Sequence, residues 1–319
     1  MTFSEAWNYD NNKSSTDGFI LQGFSEYTEL RIPLFCLFLL IYLLTLKANL
    51  LILIVICYRT SLWQTPMYFF LCNLAFIDIF TSSVYQPKLI LVLSSGDNTI
   101  SFSGCLFQLH CFMSLACTEF VSLTAMAYDR YVAICNPLRY LIVMNRRFCV
   151  ILVITCWMVG FTEPLSHTLL ISTLPFCGSR KVDHFFCDLT VLLKLSCKDT
   201  FFIQVLTYVL GSVVGLPAFA LIIASYTYII ATILKIHSAT GRKKAFSTCT
   251  SHLTVVILFY GSILITYMRP PSQYSAILSK PTAFLYTSLT PLINPFIYTL
   301  RTKEMKNYLN FIFIFKFDF

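Results

Sequence analysis

Two acidic side chains lie within long apolar runs of this sequence, where a charge is energetically costly. Asp78 follows the apolar stretch that starts at Pro66, and Glu119 lies in the run that starts near Cys105. In a membrane-embedded helix such carboxyls usually face the interior, where they pair with one another or bind a cation. Two interpretations are open: a Na⁺ or a shared proton between Asp78 and Glu119, or two protonated carboxyls in a hydrogen-bond network.

The four polar residues Asn49, Asp78, Glu119 and Asn294 are expected at similar depths if their runs are helices. Because a helix rises ~1.5 Å per residue, Asp78 lies about 18 Å and Glu119 about 16 Å from the same side of the bundle. Asn49 and Asn294 fall slightly nearer that side, at roughly 13 Å and 10 Å. Polar groups at matched depth on four helices predict one internal polar site.

No arrangement of histidines or glycines in the sequence supports catalysis. The histidines are scattered without the His-x-x-x-His or His-Glu-x-x-His spacing of a zinc hydrolase, and the ten glycines form no phosphate-binding loop. The five histidines are His110, His167, His184, His237 and His252. We therefore expect neither an enzyme nor a metal centre.

The composition explains what surrounds these polar groups. Hydrophobic residues make up 57% of the 319 positions and charged residues 12%, with a mean hydropathy of +0.72, which is too apolar for an ordinary soluble domain. The formal charge of +8 does not indicate nucleic-acid binding, because the longest basic run is Arg242-Lys243-Lys244 and basic residues beside apolar runs set membrane orientation. The sequence predicts a membrane protein embedded in a lipid bilayer.

Seven apolar runs are long enough to cross a hydrocarbon core of ~30 Å, which takes about 20 helical residues. Helices are favoured over strands because an open sheet leaves backbone groups unpaired in lipid. The runs occupy residues 32–57, 67–93, 105–135, 148–173, 201–236, 246–268 and 280–300. We predict an all-α membrane protein with a seven-helix bundle at 32–300, an extracellular N-terminal arm at 1–31, and a cytosolic tail at 301–319 that contains a short membrane-lying helix.

Basic residues set the direction of the bundle. The segments after spans one, three, five and seven hold 13 of the 23 lysines and arginines, which marks that side as cytosolic. The N-terminal arm is then extracellular, and it lacks the basic and apolar pattern of a cleaved signal peptide. Its Asn12-Lys13-Ser14 tripeptide is an N-glycosylation acceptor, in agreement with an extracellular arm.

Four cysteines lie on the predicted extracellular side. Cys177, Cys187 and Cys197 are evenly spaced in the loop after span four, and Cys105 opens span three. In an oxidising compartment they are expected to form two disulfides, and the spacing alone leaves all three pairings open. Free thiols, or capture of zinc or copper together with His184, are the less favoured alternative.

Five stretches together resemble the odorant receptors of the rhodopsin-like G-protein-coupled receptor superfamily, in their tetrapod-type branch. They are PMYFFLCNLAFID at 66–78, MAYDRYVAICNPLRY at 126–140, SY at 225–226, KAFSTCTSH at 244–252 and PLINPFIYTLR at 291–301. The likeness covers nearly the whole chain. It implies an odorant-activated receptor in the plasma membrane, in the cilia of olfactory neurons, that activates the olfactory stimulatory G protein and raises cAMP.

The resemblance also implies pairings and a polar site. The disulfides would be Cys105–Cys187 and Cys177–Cys197. Asp78 and Glu119, with Asn49 beside them, would form a polar or sodium-associated core, and no cofactor other than Na⁺ is implied.

The residues that switch the G protein would lie at the cytosolic ends of spans three, five and seven. They are Asp129, Arg130, Tyr131, Tyr226, Asn294, Pro295 and Tyr298. Arg130 is always charged and needs an acceptor, so Asp129 beside it is expected to hold it at rest. Span six is preceded by basic residues and no acid, so a lock between Arg130 and that span is not expected.

A small, volatile and fairly apolar odorant would bind between the outer halves of spans three, five, six and seven. The candidate lining is Phe112, Met113, Cys117, Gly211, Val214, Tyr260, Ile263, Leu264, Tyr267, Phe284 and Thr287. This lining suits an apolar molecule with one hydrogen-bonding group, although each residue could equally be helix-packing core. Glu163 on span four is an unusual acid at the same depth, which either faces a polar gap or is protonated against its neighbours.

Lys47 and the tail depart from the family pattern. Lys47 precedes Asn49 by two residues, about 200° around a helix, so it should face lipid and snorkel when Asn49 faces inward. The tail ends in the aromatic run FIFIFKFDF at 311–319, which is expected to be buried at the membrane interface.

Two alternative functions stay open. An ion channel or transporter could use Lys47, Asp78, Glu119 and Glu163, but no internal repeat is present and the charges gather at one depth instead of forming a path. A non-olfactory chemosensory receptor could use the same fold in another tissue.

Overall fold

The computed structural model describes residues 18–24, 28–177, 179–267 and 276–299. The predicted glycosylation at Asn12 and the membrane-lying helix of the tail at 301–319 lie outside the described residues.

Six long helices of the described chain are apolar enough to cross a membrane. They are α1 (Arg31–Tyr58), α2 (Pro66–Ser95), α3 (Phe102–Cys135), α4 (Arg146–Ser172), α5 (Phe201–Leu234) and α6 (Ala239–Tyr267). The seventh, α7, comprises a helix at Ala276–Phe284, a π-helical turn at Leu285–Leu289 and a helix at Thr290–Thr299. All seven predicted spans are thereby confirmed. The main difference is that α6 begins at Ala239 rather than at residue 246, since its basic first turns extend the helix beyond the apolar run.

Side-chain and glycine caps fix several helix ends. The Ser101 hydroxyl accepts a hydrogen bond from the Gly104 amide at 3.1 Å and starts α3. The Asn145 side chain accepts one from Phe148 at 3.0 Å and starts α4. Gly96 ends α2 with a φ of 80°, a left-handed conformation that costs glycine little. These local signals set where the chain turns back.

Prolines explain why α7 is irregular. Proline has no backbone N–H, so Pro295 cannot bond to the carbonyl of Pro291 one turn earlier. That carbonyl instead accepts a hydrogen bond from Asn49 Nδ2 of α1 at 3.1 Å. In the π-helical turn, the Thr290 hydroxyl donates to the carbonyl of Leu285 at 3.0 Å. The missing N–H of Pro295 therefore leaves a carbonyl of α7 available for a specific contact with α1.

Helix α3 is the centre of the bundle and packs against α2, α4, α5 and α6. Its contact with α4 depends on Gly160, because a Cβ there would overlap Thr118 Oγ1 and lie 2.8 Å from the backbone nitrogen of Thr118 and 2.9 Å from the backbone oxygen of Ser114. Close approach of two helix backbones through a small residue is typical of membrane bundles.

The extracellular side carries a small sheet that the all-α prediction did not include. Strand β1 (Phe19–Leu21) pairs antiparallel with β2 (Thr99–Ile100) and parallel with β3 (Lys181–Val182). Strands of two or three residues are too short to leave a periodic signal in the sequence. The sheet ties the N-terminal arm to two outer loops.

Both disulfides implied by the resemblance are confirmed. Cys105 at the start of α3 is bonded to Cys187, and Cys177 is bonded to Cys197 within the loop after α4. Because Cys105 and Cys187 are fully buried, the first bridge holds this loop against the outer end of α3.

The structure also confirms the predicted orientation of Lys47. Its side chain is exposed on the outer surface of α1, whereas Asn49 is buried. The lysine therefore does not contribute to the interior polar site.

We predict that Gly160→Ala destabilises the bundle whereas Gly261→Ala does not. The added methyl at residue 160 meets backbone atoms that cannot rotate away, and overpacking of this kind costs about 1–3 kcal/mol. At Gly261 no atom lies within 4 Å of the added carbon, and alanine is the better helix former. Melting temperatures of detergent-purified receptor, with cell-surface staining, measure the difference. Equal melting temperatures for the two variants would contradict the packing argument.

Candidate functional site

The predicted polar core is present, and Asn294 is its centre. Asn294 Nδ2 of α7 donates to both carboxylate oxygens of Asp78 at 3.1 Å and approaches Glu119 Oε1 at 3.5 Å. All three side chains are buried. Asn49 of α1 contacts α7 about one helical turn from Asn294. Its Nδ2 donates to the carbonyl of Thr45 in α1 and to the carbonyl of Pro291 in α7. One amide thus brings two acids on different helices to the same depth.

The core contains more acceptors than donors. The buried oxygens Glu119 Oε2, Asn294 Oδ1 and Asn49 Oδ1 have no hydrogen-bond partner among the described residues. Oxygen atoms of carboxylates and amides are the ligands that hard cations prefer. This surplus of acceptor oxygens therefore fits a bound cation or an additional proton.

At the cytosolic end of α3, Asp129 lies close enough to Arg130 to interact with it electrostatically, without a direct ion pair. Among the described residues the ion pairs are Lys88–Asp97 and Lys280–Asp183, both on the extracellular side. Asp129 also accepts a hydrogen bond from Tyr140 Oη at 2.8 Å. Tyr140 lies in the short helix Tyr140–Val143 of the next loop. Burial raises the pKa of its phenol, and the nearby carboxylate of Asp129 raises it further. This contact anchors the loop.

Arg130 also lies near residues of α5, α6 and α7. It is close enough to Tyr226, His252 and Tyr298 to interact with them electrostatically. Tyr226 Oη and His252 Nδ1 are joined at 2.7 Å, which links α5 to α6 beside the guanidinium. The structure therefore brings together predicted switch residues from α3, α5 and α7.

A cavity of about 180 Å³ lies between the outer halves of α3, α4, α5 and α6. Its wall is mostly apolar. Eight of the predicted ligand residues line it: Phe112, Met113, Cys117, Gly211, Val214, Ile263, Leu264 and Tyr267. The expectation that followed from the family resemblance had named these positions on the outer halves of α3, α5 and α6.

Three predicted residues do not line this cavity. Tyr260 lies below it, where its hydroxyl bonds to Thr124 Oγ1 and to the carbonyl of Phe120 at 2.8 Å each. Phe284 packs edge-on against Phe38 of α1. Thr287 is buried in the π-helical turn of α7. The predicted ligand site included two residues of α7, Phe284 and Thr287. No described residue of α7 lines the cavity, because α3 packs against α6.

Sequence reasoning missed several lining residues. They are Ala116, Phe120, His167, Leu189, Thr207 and Gly215. Glu163 also lines the cavity, which agrees with one of its two interpretations, that it faces a polar gap. The spacing of Glu163 and His167, four residues apart, puts both on one face of α4 and was the available signal. Leu189 belongs to the loop after α4, so only the tertiary structure could place it.

The loop after α4 covers the cavity and is bonded to its wall. Tyr267 Oη of α6 donates to Asp188 Oδ2 at 2.8 Å and lies 3.1 Å from Tyr286 Oη of α7. Asp188 also caps the short helix Leu189–Leu195 by accepting from the Thr190 amide. His184, stacked on Phe185 in the same loop, is buried, which lowers its pKa to about 4 and keeps it neutral.

Comparisons with known proteins agree with this architecture. The family described as Olfactory receptor matches residues 36–316. Olfactory receptor 1G1 of Gorilla gorilla gorilla is 46% identical over 296 residues, which are 93% of this chain and 94% of that protein. Olfactory receptor 8I2 of Homo sapiens is 46% identical over 297 residues, covering 93% of this chain and 95% of its own. Olfactory receptor 6N1 of Homo sapiens is also 46% identical, over 295 residues.

The helical bundle and these matches define the class: a multi-pass membrane receptor of the G-protein-coupled type, not an enzyme. The chain belongs to the olfactory receptor family. The family resemblance read from the five motifs is thereby confirmed, and sensing of odorants is the general function.

We predict that Asn294→Leu lowers the free energy of unfolding by at least about 2 kcal/mol, because it removes the donor that two buried carboxyls share. Thermal melting of purified receptor measures the loss. The control is the cycle with Asp78→Leu. Replacing both partners with apolar groups removes the unpaired atoms, so the double variant should lose less than the sum of the single variants. Strict additivity would mean that the contact has no energetic role.

Proposed function

We propose that this receptor binds a small, fairly apolar odorant in the cavity between α3, α4, α5 and α6, and that binding activates the olfactory stimulatory G protein and raises cAMP. The cavity of about 180 Å³ carries the proposal. Its apolar wall with a few convergent polar groups has the character of a small-molecule site. The ligand site proposed from the structure thus includes α4 in place of α7.

The contact beneath the cavity is the proposed route from ligand to G protein. Phe120 lines the cavity, and its ring stacks on Tyr260 of α6 with 3.9 Å between centroids. A ligand that moves Phe120 therefore acts on the α3–α6 contact. The same helices carry Arg130 and His252 at their cytosolic halves, so a change in the packing of α6 against α3 would reach the switch residues.

The polar core is proposed to stabilise one arrangement of the helices. Asp78 and Glu119 cannot both be charged at this depth without a large cost unless a positive charge compensates them. A Na⁺ or a shared proton between Asp78 and Glu119 would supply the missing positive charge, with Asn294 orienting both carboxyls. Glu119 Oε2 and Asn294 Oδ1, which have no hydrogen-bond partner among the described residues, support this assignment.

The site of action is proposed to be the plasma membrane, in the cilia of olfactory neurons. The non-olfactory chemosensory alternative uses the same cavity and differs only in tissue. An ion path is disfavoured because Asn294 is bonded to Asp78 and approaches Glu119 at 3.5 Å in a closed, buried cluster.

The test of this function is expression with the olfactory G protein and a cAMP reporter, followed by an odorant screen. We expect a dose-dependent cAMP rise. Ligand-dependent current in cells without the G protein would instead favour the channel.

We predict that Val214→Phe abolishes or strongly weakens odorant responses, because the added ring fills part of the cavity. The matched control is Val213→Phe, which places the same ring on the exposed, lipid-facing surface of α5. Dose–response curves at equal surface level compare the two. Unchanged responses in Val214→Phe would place the ligand elsewhere.

We predict that Arg130→Ala abolishes odorant-evoked cAMP while surface level is retained, because Arg130 is the charged group at the proposed G-protein contact. Arg147→Ala, which removes an exposed arginine at the start of α4, serves as the matched control and should signal normally. Full signalling by Arg130→Ala would remove this residue from the switch.

A further inference from the structure

The ligand cavity has an acidic corner that the apolar character of its wall does not explain. Glu163 lies on the inner face of α4, roughly 14 Å below the outer end of the helix at Ser172. Its side chain is partly buried and lines the cavity. In the part of the chain that the structure describes, no hydrogen bond or ion pair satisfies its carboxylate. A carboxylate left this way at membrane depth needs a partner.

His167 lies one turn further along the same face. It is fully buried and lines the cavity. Neither ring nitrogen has a hydrogen-bond partner within 3.5 Å among the described residues, and the nearest backbone acceptor is the carbonyl of Glu163 one turn earlier. An imidazole buried without a partner is neutral, because the charged form would lose its hydration without compensation. One of its nitrogens is then an acceptor. Side chains four residues apart on a helix lie about 6 Å apart at Cβ, so one ligand atom can reach both.

The hydroxyl groups of the wall already donate hydrogen bonds within the protein. The Thr207 hydroxyl donates to the carbonyl of Ile203 at 2.8 Å, and the Tyr267 hydroxyl donates to Asp188. The Thr207 oxygen keeps a lone pair that can accept, whereas Tyr267 Oη also lies 3.1 Å from Tyr286 Oη. The described polar lining residues include no lysine or arginine, and the ring of neutral His167 lies near the backbone carbonyl of Glu163.

We propose that this receptor selects small amines, whose ammonium group donates to Glu163 and His167 while the hydrocarbon part packs against the apolar wall. An ammonium group has several N–H donors and a positive charge, which match an excess of acceptors and an unpaired carboxylate. The wall for the hydrocarbon part includes Phe112, Met113 and Phe120. The volume of about 180 Å³ is close to that of an apolar cavity of ~150 Å³ that holds benzene, which favours a ligand with a compact skeleton. This inference rests on the proposed function and specifies the ligand of the same cavity.

The experiment compares small primary amines with the alcohols and ketones of the same carbon skeletons in the cAMP assay. The parent receptor should respond to an amine at lower concentration than to the matched alcohol and ketone. Glu163→Gln keeps the shape of the side chain and removes its charge, so the half-maximal concentration for the amine should rise at least about tenfold with little change for the alcohol. Glu163→Asp keeps the charge and should keep the preference for amines.

The matched control is Glu29→Gln, which removes an exposed acid far from the cavity and should not alter the ranking of ligands. If Glu163→Gln does not reach the surface, the ranking of amine, alcohol and ketone in the parent decides. A receptor that responds to alcohols or ketones but not to amines, or a Glu163→Gln variant with an unchanged amine response, overturns the ligand class and leaves the odorant-receptor function intact. If no odorant of any class raises cAMP in receptor at the surface, the proposed function fails as well.

Discussion

Two carboxyls buried at the same depth require a donor, and the arrangement of the bundle depends on how that requirement is met. Asn294 supplies the donor to Asp78 and approaches Glu119, so α2, α3 and α7 are held at one level. Pro295, the next residue, frees the carbonyl that Asn49 of α1 then binds. An asparagine followed by a proline thus connects four helices. The irregularity of α7 is the structural condition for that connection.

A second set of contacts closes the extracellular side around α3. The Cys105–Cys187 bridge holds the loop after α4 to the outer end of this helix, and Asp188 in the same loop is bonded to Tyr267 of α6. The cavity lies directly below, with Leu189 of the loop in its wall. A loop fixed over part of the cavity reduces the access of water, which strengthens any polar contact that a ligand makes inside. The loop therefore contributes to the shape of the site.

The cavity and the cytosolic switch are linked through the packing of α3 against α6. Phe120 reaches the cavity on one side and stacks on Tyr260 on the other. Farther along the same two helices, Arg130 and His252 lie close together near Tyr226 of α5. Asp129, beside Arg130, accepts a hydrogen bond from Tyr140 of the next loop. A shift of α6 relative to α3 would change both ends of this arrangement.

The sequence by itself determined the seven spans, their direction and the shared depth of Asp78, Glu119 and Asn294, because apolar length, charge bias and helical rise are local properties. It also located most of the cavity wall on α3, α5 and α6. Only the tertiary structure decided which helices enclose the cavity, that Asp129 binds Tyr140 and that β1 joins two distant loops. Glu163 and His167 were visible as residues, yet their position at an acceptor-rich corner depended on how α4 packs at Gly160 against α3. Contacts between distant segments leave no periodic signal, so they could not be predicted from the order of residues.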